Sequence, residues 1–202
     1  MISFSDFLLE QSGDKGLTIF DIDETLFQTF AKIKVTKDGK TVRELDNQEF
    51  NTYKLKPGEE FDFGEFRNAE LFNKTSQPIR KMLAKAKAIL RNASSRGSKV
   101  IIITARADFD DKKKFLDTFR KYGLDIDNVH VVRAGNLGSG PSAENKKVFF
   151  KKYLNTGEYS RIRFFDDDTS NLKAFNSLIP LYPDVKFEAY LVVKDGTTKT
   201  YR

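Results

Sequence analysis

Four short apolar runs, each bounded by turn or polar residues, constrain this chain most. They are Leu17-Thr18-Ile19-Phe20, Val100-Ile101-Ile102-Ile103, Val129-His130-Val131-Val132 and Ile162-Arg163-Phe164-Phe165. Short apolar runs of this kind read as strands buried on both faces. Between and after them, helical spacing predicts helices over 76–93, 109–122, 143–154 and 169–178. Ser76, Asp108 and Pro141-Ser142 stand where the first three would start, and Asp168 or Thr169 could cap the last. Ile79, Leu83, Ala86 and Leu90 supply a core stripe for the first of these helices. Residues 3–11 read as a short amphipathic helix. Lys186–Tyr201 reads as two strands joined at Asp195-Gly196. Strands alternating with helices imply βαβ units, so the expected fold class is α/β, a Rossmann-like parallel sheet flanked by helices.

One stretch breaks the alternation. Residues 28–75 contain Ala31–Val35, a turn at Lys37-Asp38-Gly39-Lys40 and Thr41–Leu45, which read as a β-hairpin. An aromatic-rich segment follows, with Phe50, Tyr53, Phe61, Phe63, Phe66 and Phe72. The expectation is a single domain over 1–202 that carries a small β-containing insertion at 28–75. The aromatics either pack that insertion onto the core or stack on bases.

Composition narrows the chemistry. The chain has no Cys and one His, His130. That excludes disulfides, thiolate metal sites, Cys nucleophiles and a multi-His metal site within one chain. Chemistry must run mainly on carboxylates, Lys, Arg, hydroxyls and a hard metal ion. No apolar run approaches the roughly 20 residues of a membrane span. The N-terminus lacks the basic start and apolar stretch of a signal peptide, so no membrane partner and a cytoplasmic location are expected. A net charge of +6 is compatible with anionic partners.

Acidic residues close two of the apolar runs. The first leads into Asp21-Ile22-Asp23-Glu24-Thr25-Leu26, and the last into Asp166-Asp167-Asp168-Thr169. In an extended chain residues i and i+2 share a face, so Asp21 and Asp23 project together at the strand's carboxyl end. That edge is where open α/β sheets bind ligands. If the two strands are neighbours, at least three carboxylates converge, and Mg²⁺ is the natural compensating ion. The second run ends in Thr104-Ala105-Arg106, where a hydroxyl and free backbone N–H groups suit a phosphate oxygen.

Asp21-Ile22-Asp23-Glu24-Thr25-Leu26 resembles the first motif of the haloacid dehalogenase (HAD) superfamily in its phosphatase form. Thr104, Lys146 and Asp166-Asp167 resemble its second, third and fourth motifs, in order over about residues 17–180. The resemblance implies a HAD-like fold with the 28–75 insertion as a small cap. It implies an Mg²⁺-dependent phosphoric monoester hydrolase with an aspartyl-phosphate intermediate. Asp21 would be the nucleophile, and Asp23 the acid and then the base. The Asp21 carboxylate, the Asp23 backbone carbonyl and Asp167 would hold Mg²⁺, with Asp166 bound through water or orienting the site. Thr104, Ala105 and Lys146 would bind the phosphoryl oxygens, with Lys147 the alternative to Lys146. Asp23 favours phosphate-ester hydrolysis or phosphoryl transfer over the superfamily's other chemistries.

Arg106, Thr25 and Lys147 are candidates for substrate contacts. Arg106 with Lys112-Lys113-Lys114 and Lys146-Lys147 could form a basic rim, or the lysines could be a solvated helix face. Gly135, Gly138 and Gly140 read as a flexible loop near the site, because their spacing matches no nucleotide motif. The Thr104-Ala105-Arg106 form and the basic balance are similar to the phosphatase part of polynucleotide kinase 3′-phosphatases. Ser3-Phe4-x-x-Phe7-Leu8 resembles the starts of small proteins of contractile-tailed phages, which would make the location a host cytoplasm. The expected substrate is a phosphorylated small molecule or a nucleic-acid end. A phosphotransferase, a phosphoprotein phosphatase and a non-catalytic HAD-fold binding protein are the alternatives.

Overall fold

A computed structural model describes residues 15–93, 97–138 and 140–202. The helix expected over 3–11 and the phage-like start lie outside the described residues. The fold is α/β, with a central six-stranded sheet flanked by helices. Its strands are β1 (Gly16–Phe20), β7 (Lys99–Thr104), β8 (His130–Arg133), β9 (Arg161–Asp166), β10 (Lys186–Val192) and β11 (Thr198–Tyr201). They lie in the order β11-β10-β9-β1-β7-β8. All neighbours are parallel except β10 and β11, which form the expected terminal hairpin.

The apolar runs are buried on both faces because alternate residues serve different layers. Leu17, Ile19, Ile101, Ile103, Ile162 and Phe164 face one way. They meet Phe150 and Leu154 of helix α6 (Ser142–Leu154) and Leu172 and Phe175 of α7 (Thr169–Asn176). Phe20, Val100, Ile102 and Phe165 face the other way. There they meet Met82, Leu83, Ala86 and Leu90 of α4 (Arg80–Ala93) and Phe115 and Phe119 of α5 (Lys112–Lys121). Burying each such side chain contributes about 1.5–3 kcal/mol against the cost of chain ordering.

Two helix starts differ from expectation. The helix expected at 76 begins at Arg80, because Gln77-Pro78 (β6) pairs with Phe27-Gln28 (β2) in a two-residue antiparallel ladder. Ser76 instead closes the preceding helix, α3 (Ala69–Thr75). The helix expected at 109 begins at Lys112, with Asp111 rather than Asp108 as its cap. The Asp111 side chain accepts from the Lys114 N–H. Asp108 is drawn off by Arg133, with which it forms an ion pair.

The region 28–75 holds more structure than a hairpin. Strands β3 (Ile33–Lys37) and β4 (Lys40–Leu45) form the expected hairpin, and β5 (Glu59–Asp62) adds to the far edge of β3. Helices α1 (Asn47–Thr52) and α2 (Gly64–Arg67) pack on it, while α3 packs on α5 of the main core. Phe50, Tyr53, Phe61 and Phe66 pack on Ile33, Val35 and Leu45, so they build a small separate core within this region. Phe72 joins the main core, and Phe63 is 44% exposed. No helix among the described residues is long and apolar enough to cross a membrane.

Candidate active site

The site follows from strand register. Phe20 lies beside Phe165 of β9 and Ile102 of β7, so the residue after β1, Asp21, reaches the edge next to Asp166. The Asp21 N–H donates to the Phe165 carbonyl at 3.0 Å. The chain then turns tightly. Glu24 has φ 52°, and its N–H donates to the Phe27 carbonyl at 2.7 Å. A left-handed residue other than Gly costs roughly 1–2 kcal/mol, and such strain collects where chemistry needs a fixed backbone.

The carboxylates of Asp21, Asp166 and Asp167 each offer an oxygen within 4.8 Å of the others. Lys146, from the first turns of α6, lies fully buried between two of them. Its Nζ is 2.8 Å from Asp21 Oδ1 and 2.7 Å from Asp166 Oδ2. Lys147 turns away and approaches Glu144 at 3.9 Å, so Lys146 alone of this pair meets the acids. Asp166 also accepts from both its neighbours in the next turn, the Asp168 N–H at 2.8 Å and Asn171 Nδ2 at 3.0 Å.

One ammonium cannot balance three acids. Burial, reinforced by Asp166 and Asp23 against the pull of Lys146, pushes Asp21 up to about 7. Burial and the charges of Asp166 and Asp21 push Asp167 up to about 9. Burial alone would lower Lys146, but Asp166 and Asp21 outweigh it and raise it. An all-oxygen donor set with uncompensated negative charge suits a hard divalent cation, which makes Mg²⁺ a fitting occupant.

Asp23 does not join that cluster through its side chain. Arg106 Nε lies 2.9 Å from Asp23 Oδ2 and Arg106 Nη2 lies 2.6 Å from Oδ1, while the Thr29 hydroxyl donates to Oδ1 at 2.7 Å. Burial works to raise the Asp23 carboxyl, but the Arg106 guanidinium outweighs it and holds the group below the usual carboxylate range.

The three residues expected to contact substrate stand in three different settings. Arg106 is not on a rim: it is 3% exposed, with its guanidinium against the rings of Phe66, Phe72 and Phe109. Thr25 is buried and donates to Asp167 Oδ1 at 3.4 Å. Lys147 is held outside the acidic cluster. Thr104 is buried at the end of β7, its hydroxyl accepting from the Arg106 N–H at 3.2 Å, and Ala105 beside it is exposed. Of the lysine run, Lys114 pairs with Glu70 at 3.1 Å. Lys112 lines a cleft of about 260 Å³ with Arg133, Asp108 and Phe109.

Sequence reasoning missed Asn171 and Thr29. Asn171 is a buried polar residue on the inward face of α7, beside Leu172 and Phe175, and an amide on an apolar stripe was a readable signal. Thr29 carries no such mark.

Gly135, the first of the three loop glycines, sits where two backbone segments approach closely. Residues Ala134–Leu137 form a 3₁₀ turn against the Thr104–Arg106 segment. A Cβ on Gly135 would fall 2.3 Å from the Ala105 carbonyl oxygen and 2.8 Å from the Ala107 nitrogen. Gly135→Ala must therefore displace the backbone that presents Thr104 and Ala105. Urea unfolding is expected to show a loss of about 1–3 kcal/mol, the usual cost of overpacking.

No family model matches the chain, and no curated protein matches it. Among solved structures, the HAD domain of effector protein Lem4 from Legionella pneumophila superposes with a TM-score of 0.50. The identity is 13%, over 89% of this chain and 87% of that one. This likeness shows a HAD-like fold.

Proposed function

We propose that this chain is an Mg²⁺-dependent phosphatase of the HAD type that hydrolyses phosphate monoesters through a phosphoryl group carried on Asp21. The observation that carries the reading is the cluster of Asp21, Asp166 and Asp167 with Lys146 buried against it. Asp21 and Asp167 would hold the cation with the Asp23 backbone carbonyl, and Asp166 would orient the set. When bound, Mg²⁺ would neutralise charge on the carboxylates and on the transferring phosphoryl group.

The protein's own groups do the rest. An Asp21 carboxylate oxygen bonds to phosphorus as the ester P–O bond breaks, and Asp23, when protonated, gives its proton to the leaving oxygen. Asp23 then takes a proton from water. The water oxygen bonds to phosphorus as the bond to Asp21 breaks, which releases inorganic phosphate. A carboxylate held ionised by Arg106 is in the form this second half requires. Lys146, Thr104 and the Ala105 backbone bind phosphoryl oxygens and offset the charge of the acids.

The 28–75 region acts as a small cap in this reading. Its modest size supports access for a large substrate, and exposed Phe30 and Phe63 offer surfaces on which a base could stack. A nucleotide or a phosphorylated polynucleotide end is therefore the substrate class proposed.

The test is phosphate release from an aryl phosphate, a nucleoside monophosphate, a 3′-phosphorylated oligonucleotide and a phosphoserine peptide, each with Mg²⁺ and with EDTA. Release with Mg²⁺ that EDTA abolishes is expected, strongest on the nucleotide or oligonucleotide. Release from none of them, or release indifferent to EDTA, would overturn the proposal.

A further inference from the structure

We propose that Arg106 is a positioning residue: it fixes the Asp23 carboxylate and ties it to the 28–75 region, so that the seating of that region sets the placement of the proton-transfer group. This rests on the phosphatase reading above.

The geometry leaves Arg106 little capacity for substrate. Nε and Nη2 are spent on the two Asp23 oxygens, and Nη1 donates to the Phe66 backbone carbonyl at 2.9 Å. The Cζ atom lies 4.6, 5.0 and 5.6 Å from the ring centroids of Phe66, Phe72 and Phe109. A guanidinium that captures a phosphate presents its in-plane fork to the ligand. Here that fork is closed on Asp23.

Stability alone is a poor reason for this arrangement. A buried ion pair costs desolvation, and apolar residues of similar volume often serve a core as well or better. Three phenylalanines already surround the site. What Arg106 supplies that an apolar residue cannot is a single orientation of Asp23. Both carboxylate oxygens are engaged, and Thr29 holds the same Oδ1 from another direction. Proton transfer depends steeply on such placement.

The tie to the insertion is not one bond. Beside Arg106 Nη1 on Phe66, Arg67 Nε donates to the Asp108 carbonyl at 3.2 Å, and the Asp110 N–H donates to the Arg67 carbonyl at 3.0 Å. The Ala69 N–H donates to Asp110 Oδ1 at 2.8 Å. Residues 66–69 and 106–110 therefore form one latched unit, with Asp23 held at its inner end.

The experiment is a double-mutant cycle on aryl phosphate hydrolysis with Arg106→Met, Asp23→Asn and the pair, together with Arg106→Lys and Phe66→Leu. Arg106→Met is expected to lower kcat by about 10²-fold, the lower end of what acid–base catalysis supplies, with KM little changed. Added to Asp23→Asn it should cost nothing further. Arg106→Lys, which keeps the charge and loses the fork, should fall between. If Arg106→Met alone fails to fold, the comparison of Asp23→Asn with the double variant still decides, because the pair removes both charges together. Losses that multiply across the cycle would overturn the proposal, as would a raised KM with kcat intact, which marks a direct substrate contact.

A second readout needs no turnover. The ¹⁵N spectrum should contain a solvent-protected Arg106 Nε–H resonance that moves in Asp23→Asn and in Phe66→Leu. A resonance indifferent to both would refute the coupling. Asp21→Asn separates the two readings. Turnover that survives in that variant would fell the phosphatase reading, while the spectrum would still judge the Arg106 link.

Discussion

Asp21→Asn is expected to reduce phosphate release by about 10⁴-fold or more, as removal of a nucleophile does. The same variant should fold to a protein at least as stable as its parent in EDTA. The amide keeps the shape of the carboxylate but lacks the charge needed to attack phosphorus. Lys146 retains its second partner, Asp166, at 2.7 Å. The stability half follows from linkage. Burial, with Asp166 and Asp23, raises the Asp21 carboxyl from 3.8 to about 7 in the folded protein. The folded state thus binds more protons than the unfolded one between these values, and stability falls as pH rises from about 4 through about 7. Asparagine removes that loss. Thermal unfolding in EDTA at pH 5 and pH 8 should show a smaller pH dependence in the variant. A markedly less stable Asp21→Asn at pH 8 would mean that Asp21 is a net structural asset.

Divalent cation should stabilise the fold substantially. Three carboxylates share the site with one ammonium, and Asp167, pushed up to about 9, is the group least compensated. A cation that binds only the folded state at 100 times its dissociation constant adds about 2.7 kcal/mol. For a chain of this size that is a rise in Tm of about 5–10 °C. Asp167→Asn should raise the Tm of the metal-free protein and blunt the response to Mg²⁺. Calcium, which tolerates looser oxygen geometry, should also stabilise. An unchanged Tm across millimolar Mg²⁺ would argue against a cation at this cluster.

The sheet and the acidic edge were legible because each rests on a local pattern. Val100–Ile103 is short, apolar at every position and bounded by turn residues, and a strand covered on both faces buries all of it. Asp21 and Asp166 follow such runs, and parallel register brings strand ends together. Helix starts were less legible, because a long-range partner decided them. Ser76 and Pro78 look like the opening of a helix, yet Phe27-Gln28 holds Gln77-Pro78 extended. Arg106 shows the same limit. A basic residue after a strand reads as an exposed rim. Its burial depends on Phe66, Phe72 and Phe109, which only the fold gathers around it. The resemblance left Lys147 open as the alternative to Lys146, and the helical face that Lys146 shares with Phe149, Phe150 and Tyr153 points inward. The contacts with Asp21 and Asp166 agree with that face.

If phosphoryl transfer passes through Asp21, the phosphoryl group can be trapped there. Asp23→Asn should form the covalent intermediate from p-nitrophenyl phosphate, whose leaving group needs little protonation. It should hydrolyse that intermediate slowly, because no base remains to take the proton from water. Acid quenching and peptide mapping with Mg²⁺ present should then find one hydroxylamine-labile phosphoryl group, on Asp21, and none in the Asp21→Asn, Asp23→Asn double variant. Phosphoryl on another residue, or release of p-nitrophenol with no protein-bound phosphate at any time, would rule out Asp21 as the nucleophile.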